Sequence, residues 1–138
     1  LSRSVPCPVL KQGVGDLGMR MGRAFDAMPP GPTVLVGSDI PELTPAHIAQ
    51  AFDALGRADA VFGPAADGGY WLVGLTPRAR RTNPFQGVAW SSAEALSDTA
   101  RNLAKGHSIA MLEMLSDIDI GADHADWRKR CRQEVYPV

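Results

Sequence analysis

Cysteine is scarce in this chain: only Cys7 and Cys131 occur, near opposite ends of 138 residues. With no CxxC pair and no Cys/His spacing of a zinc site, disulfide frameworks and structural-zinc modules are excluded, and both thiols read as free. Long apolar runs are also missing. Nothing approaches the ~18 consecutive apolar residues of a membrane span, and the opening Leu1-Ser-Arg-Ser-Val-Pro lacks the basic, apolar and small-residue succession of a signal peptide. A cytoplasmic location is the resulting expectation. Charge of one sign is not in excess either: 14 Lys and Arg against 15 Asp and Glu give a formal net charge of −1. Nothing therefore calls for a nucleic-acid or anionic-membrane partner. The one dense basic cluster, Arg78, Arg80 and Arg81 after Pro77, reads as a solvated loop. No internal repeat or low-complexity linker divides the chain.

What is present suits one globular domain over residues 1–138. The hydrophobic fraction is 45% and the charged fraction 21%, and a domain of this length buries roughly 70% of the surface its unfolded chain exposes. Leu17, Met21, Ala24, Phe25 and Met28 recur at helical spacing. Asp16 is placed to cap that helix, and Pro29-Pro-Gly-Pro32 to end it, which predicts a helix over 17–28. Thr33-Val-Leu-Val-Gly37 is β-branched without alternation, as in a strand buried on both faces. Thr44 as N-cap, Pro45 at the first helical position and Leu43 stapled to Ile48 predict a second helix, with Ile48, Phe52 and Leu55 inward, running to Gly56.

Ala60–Pro64 and Tyr70–Gly74 predict two strands joined through the turn residues Asp67-Gly68-Gly69. A long helix is expected from Ser91 or Ser92, because Ser91 and Glu94 have capping-box spacing; it would bury Leu96, Ala100 and Leu103 and end at Lys105-Gly106. Ser108–Leu112 predicts a further strand. In Asp117-Ile-Asp-Ile120 the alternation sends both carboxylates to one side of an extended segment. A short helix containing Trp127 would close the domain. Strands alternating with helices define an α/β layered fold.

Gly13-Val-Gly15-Asp-Leu-Gly18 matches GxGxxG, and Asp39 follows the next strand about where the ribose-binding acid of a dinucleotide site would lie. Against an NAD(P)-binding reading, the candidate strand before it is short, carries Pro8 and turns polar at Lys11-Gln12, where a central parallel strand stays apolar. A regular βαβ succession is also missing, since two strands are joined directly through Asp-Gly-Gly.

Four blocks taken in order are more specific than any one of them. They are Gln12-Gly-Val-Gly-Asp16-Leu-Gly18-Met-Arg20-Met21, Gly37-Ser-Asp39-Ile-Pro41-Glu-Leu-Thr44, Gly63-Pro-Ala-Ala-Asp67-Gly-Gly-Tyr70-Trp-Leu-Val-Gly74 and Phe85-Gln-Gly-Val-Ala-Trp90-Ser91. Over roughly residues 8–126 the chain resembles the DUF2064 group of glycosyltransferase-like proteins, also described as radical-SAM/selenodomain-associated transferases. The resemblance implies a GT-A-like nucleotide-diphospho-sugar transferase fold: three α/β/α layers on a mixed, mainly parallel sheet. It also implies a glycosyl- or nucleotidyltransferase that uses Mg²⁺ or Mn²⁺, a nucleotide-sugar or nucleoside triphosphate donor and a small-molecule acceptor. The family's opening strand and Lys-Ala-Pro-x-x-Gly-x-x-Lys-Thr-Arg-Leu-like phosphate loop are not seen here. Either the chain is the C-terminal part of a GT-A-like domain, or it is a truncated, non-catalytic module that binds a ligand or partner. In the second case an uncovered central strand would be free to pair with another subunit in a homo-oligomer.

Transfer from a nucleotide donor requires neutralising phosphate charge, which Mg²⁺ or Mn²⁺ does when carboxylates hold it beside phosphate oxygens. Asp39, just past a buried strand and followed by Ile40-Pro41, suits that role, and by resemblance it occupies the GT-A metal-ligand position. An Asx-turn acid satisfied by backbone amides is the other reading. By analogy with the late metal-binding residue of related nucleotidyltransferases, the resemblance implies a second metal ligand at Asp119, with Asp117 less favoured, unless both cap a turn. Two carboxylates ~4 Å apart repel by about 4 kcal/mol at an effective dielectric constant near 20, so such a pair needs a cation or a proton.

Asp67 is a second candidate catalytic residue, able to accept hydrogen bonds from acceptor hydroxyls, while Gly68 and Gly69 let backbone approach a ligand; a plain tight turn is the alternative. Tyr70 and Trp71 point to opposite faces, so at most one meets a pocket, and Tyr70, Trp90 and Ser91 are candidate substrate contacts. Gln12, Gly13, Gly15, Asp16 and Arg20 are candidate contacts to the donor's base, ribose or phosphates, with a surface arginine as the other reading of Arg20. His47, His107 and His124 show no spacing of a metal site or a triad.

Overall fold

The computed structural model describes residues 13–37, 40, 42–90 and 92–115. Cys7, Gln12, Asp39, Ser91, Asp117, Asp119, the Trp127 helix and Cys131 therefore lie outside the described residues. Eight elements follow in order: α1 (Leu17–Asp26), β1 (Thr33–Val36), α2 (Pro45–Leu55), β2 (Ala60–Pro64), β3 (Tyr70–Leu75), α3 (Pro77–Arg80), α4 (Ala95–Leu103) and β4 (Ile109–Met111). The strands form one mixed sheet of order β1-β3-β2-β4. β3 is antiparallel to both of its neighbours and β2 is parallel to β4. β1, β2 and β4 thus run the same way, and their carboxyl ends share one edge with the start of β3.

Helices cover both faces, as the α/β reading requires. On one side α2 packs Ile48, Ala51 and Leu55 against Val61, Trp71 and Leu72; Leu43 joins the same cluster ahead of the helix. Pro45 opens α2 after Thr44, and His47 Nδ1 accepts the Thr44 backbone N–H at 3.0 Å, so a first-turn side chain satisfies a donor at the helix start. On the other side Met21 and Phe25 of α1 and Leu103 of α4 pack against Phe62, Val73 and Leu75.

A β-bulge decides which face each aromatic takes. Partners jump from Gly63↔Leu72 to Pro64↔Tyr70, leaving Trp71 unopposed. Simple alternation would separate Trp71 from Leu72. Because of the bulge both enter the α2-side cluster, while Tyr70 joins Phe62 and Val73 on the other side. Gly63 makes this possible, since a Cβ there would lie 2.3 Å from the Trp71 ring.

Three expectations need correction. The first helix ends at Asp26 rather than Met28: the Ala27 N–H still reaches Arg23 O, the Met28 N–H falls back to Phe25 O, and Pro29 has no N–H to continue. The fourth helix starts at Ala95, not Ser91 or Ser92. Ser92 Oγ donates to Ala89 O and accepts the Glu94 N–H, closing a local turn, and the Leu96 N–H is taken by Gly68 O. Its buried residues are consequently Ala95, Thr99 and Leu103, with Leu96 and Ala100 only half-buried.

The arginine cluster is not simply a solvated loop. Arg78 and Arg81 are exposed, but Arg80 is half-buried on the short α3, and its guanidinium donates to the carbonyls of Phe25, Met28 (3.1 Å), Pro29 (3.0 Å) and Gly31 (3.2 Å). Carbonyls left over at the end of α1 attract a cation, and Arg's planar fork reaches several of them at once.

Candidate functional site

A cleft of about 990 Å³ opens at the carboxyl edge of the sheet between α1 and the start of α4, and Ile40, Trp71 and Leu72 of the α2-side cluster line it as well. Leu17, Arg20, Met21 and Ala24 of α1 form one wall. The floor includes Leu35, Tyr70 and Val73, and Trp90, Ser92, Ala93 and Ala95 form the opposite wall. Gly37 and Ile40, which flank the Ser38-Asp39 dipeptide in sequence, line the rim together with Asp67 and Gly69. Among the described lining residues Asp67 is the one carboxylate and Arg20 the one formal cation.

The wall contributed by α1 is set by the glycine motif. Gly13 and Gly15 have φ of +79° and +112°, so the chain turns into the helix in a conformation that other residues resist. Asp16 Oδ1 accepts the Met19 N–H at 2.8 Å, making Asp16 the N-cap. Arg20 Nε donates to Gly15 O at 3.2 Å from an exposed position. Gly18 lies against the Phe85–Trp90 segment: a Cβ would come within 2.6 Å of Phe85 O and 2.9 Å of Trp90 Cζ2. The third glycine of the apparent dinucleotide motif thus serves close packing of α1 on a loop. Gly13, Gly15 and Asp16 are exposed and do not line the cleft.

The opposite wall is fastened by side-chain amides and backbone. Asn102 Nδ2 donates to Pro84 O (2.7 Å) and Gln86 O (2.8 Å), fixing the loop that carries Phe85. Phe85 stacks on Phe25 at 5.7 Å and lies 6.5 Å from Trp90. Trp90 Nε1 is buried with no hydrogen-bond partner among the described residues. The 65–69 turn packs on the same wall. Gly68 has φ +94°, and a Cβ on it would meet Ala93 O at 2.2 Å. Gly69 donates its N–H to Asp67 Oδ1 at 3.0 Å, so one carboxylate oxygen orients the turn while Asp67 stays exposed.

Tyr70 reaches the floor from the first position of β3. Its ring meets Phe62 edge-on at 5.1 Å, and its hydroxyl lies 3.2 Å from Thr99 Oγ1. Burial pushes its pKa from 10.0 up to about 12, so the phenol is protonated at neutral pH. Trp71, whose ring packs in the α2-side cluster, sends Nε1–H to Glu113 O (3.2 Å) and meets the His47 ring at 5.2 Å, yet it lines the cleft as Tyr70 does, so the expectation that at most one of the two meets a pocket does not hold.

Of the candidate residues, the cleft gathers Arg20, Asp67, Gly69, Tyr70 and Trp90, while Gly68, within the turn between Asp67 and Gly69, does not line it. Among the described residues no three His, Cys, Asp or Glu side chains cluster to hold a metal. No helix among them is long and apolar enough to cross a membrane. Thr99 and Asn102 were not anticipated. The signal for Thr99 was there: Ala95, Thr99 and Leu103 are spaced four apart, but this stripe emerges only when the helix is phased from Ala95.

A mixed α/β sheet with a ligand-sized cleft at its carboxyl edge, together with structural similarity to a solved protein of that class, places the protein among the GT-A-like α/β folds. Residues 3–92 match the family model DUF2064, described as an uncharacterized protein conserved in bacteria, and the chain belongs to that family. Its structure is similar to the crystal structure of a protein from Desulfovibrio desulfuricans G20 provisionally named a nucleotide-diphospho-sugar transferase, with a TM-score of 0.68 and 31% identity. The match covers 78% of this chain and 48% of that one, so this chain spans about half of its length. A search of curated proteins found no match.

Proposed function

We propose that the protein is a metal-dependent transferase that moves a glycosyl or nucleotidyl group from a nucleotide donor to a small-molecule acceptor. The carrying observation is the cleft. It lies where ligands bind open α/β sheets and has the volume of a small-molecule site, in a chain similar to a protein provisionally named a nucleotide-diphospho-sugar transferase. Asp39 is the proposed principal ligand of Mg²⁺ or Mn²⁺, following by two positions Gly37, which lines the cleft rim. Asp119 is its proposed partner. A bound divalent ion would neutralise charge on the donor phosphates.

The remaining chemistry falls to the cleft. Arg20, on the α1 wall, suits a donor phosphate oxygen. In the transfer step the acceptor oxygen bonds to the donor's sugar carbon or phosphorus, the bond to the leaving phosphate oxygen breaks, and the acceptor proton passes to a base. Asp67 is exposed and lines the cleft, and it is the proposed base. Tyr70 is unsuited to that role because its phenol holds its proton up to about pH 12.

Titration calorimetry with nucleoside di- and triphosphates, with and without Mn²⁺, tests the reading. Saturable, Mn²⁺-dependent binding that Asp39→Ala abolishes is expected. Failure of every nucleotide to bind overturns it, and binding without turnover of any nucleotide sugar favours a non-catalytic binding module.

A further inference from the structure

Two hydroxyls fix the direction of a proton at the cleft floor. Thr99 Oγ1 lies 2.8 Å from the carbonyl oxygen of Ala95, four residues earlier in α4, and 3.2 Å from Tyr70 Oη. A carbonyl only accepts, so the single Thr99 proton goes to Ala95, and Thr99 then accepts from Tyr70. Thr99 is fully buried, with 0% of its surface exposed, which leaves no water to take over either bond. The Tyr70 proton is thus committed inward, and its oxygen retains lone pairs. Leu17, Met21, Ala24 and Leu35, which line the same cleft, are apolar and offer no side-chain hydrogen bond.

We infer that this part of the cleft takes an acceptor with an apolar or aromatic body whose O–H or N–H donates to the Tyr70 oxygen. Tyr70 is then a specificity-determining residue: it accepts molecules carrying a donor and rejects otherwise similar ones that carry only acceptors. A site with a committed polar group discriminates this way more sharply than an apolar wall discriminates a methyl group. The inference rests on the transferase reading only in calling this ligand the acceptor.

Phenol and anisole share a ring and an oxygen, and only phenol has a donor. In two-dimensional NMR titrations of the protein, phenol is expected to bind at least about tenfold more tightly than anisole, the size of one hydrogen bond of about 1.4 kcal/mol. Tyr70→Phe should bring phenol down to the level of anisole and leave anisole unchanged. Thr99→Val releases the Tyr70 proton, which can then serve an acceptor oxygen, so the preference should narrow from the anisole side.

Equal affinities in the unmodified protein, no binding of either probe, or a preference that survives Tyr70→Phe would each overturn the inference. A preference unchanged in folded Thr99→Val would overturn the proton assignment on which it stands. Should Thr99→Val not fold, Tyr70→Phe decides alone. Neither probe is a nucleotide, so loss of this inference leaves the calorimetric result standing, and loss of nucleotide binding leaves this one standing.

Discussion

The two faces of the sheet bury comparable apolar clusters but use them differently. On the α2 face one regular helix lies on the strands, and Ile48, Ala51, Ala54 and Leu55 close directly over Val61, Trp71 and Leu72. On the other face α1 and the start of α4 stand apart at the carboxyl edge, with a cleft between them that Ile40, Trp71 and Leu72 of the first cluster also line. That separation is held by backbone contacts only glycine permits: Gly18 against Phe85 and Trp90, and Gly68 against Ala93. A single helix with a matched apolar stripe seals a sheet. Two helices held by loops at fixed points leave room for a ligand.

If the faces are separable, Leu55→Ala should destabilise the protein by about 2–5 kcal/mol in denaturant titration. Below the unfolding transition it should leave nucleotide and phenol affinity unchanged. Cleft binding that falls with it would break the comparison. Gly68→Ala should cost about 2–4 kcal/mol, combining a left-handed backbone with a Cβ 2.2 Å from Ala93 O. It should also weaken cleft binding, because the start of α4 must move. Gly87→Ala, where φ is +69° but nothing lies within 4 Å, isolates the backbone share and should cost only about 1 kcal/mol without touching binding.

Tyr70 sharpens the contrast through pH. Its pKa is 10.0 in the unfolded chain and about 12 when folded, so between these values the unfolded state has lost the proton and the folded state has kept it. Stability contributed below pH 10 is therefore lost as pH rises, by about 2–3 kcal/mol at pH 12. Denaturation midpoints across that window should fall less steeply in Tyr70→Phe. An effect as small as that of Gly87→Ala is expected at the entrance to α1. Asp16→Ala should cost about 1 kcal/mol and Asp16→Ser almost nothing, because Ser also caps. Nucleotide affinity that drops in both variants would give the Asp16 carboxylate a ligand role beyond capping.

Much of the regular structure was legible in the sequence. Pro45 after Thr44, the apolar run of β2 and the turn residues Asp67-Gly68-Gly69 each specify a local conformation, and the elements fall within a residue or two of expectation. The start of α4 was not legible. Ser91 and Glu94 have the spacing of a capping box, but Ser92 closes a turn on Ala89 and the Leu96 N–H is claimed by Gly68, 28 positions earlier. Arg80 was misread for a similar reason, since the carbonyls it gathers end a helix about fifty residues away in sequence. Asp67, Tyr70, Trp90 and Arg20 stood out as chemistry-bearing residues in ordered blocks, whereas Thr99 looked like one more residue of a helix.

The sequence by itself determined the α/β class, the family and the order of the elements, because caps, turns and apolar periodicity act over a few residues and the family blocks are contiguous. Only the tertiary structure decided which side of the sheet Tyr70 and Trp71 face, since that depends on a bulge opposite Gly63 in another strand. It alone set the direction of the Tyr70 proton, because the Thr99 and Ala95 oxygens that fix it come from a helix 25 to 29 positions further along the chain.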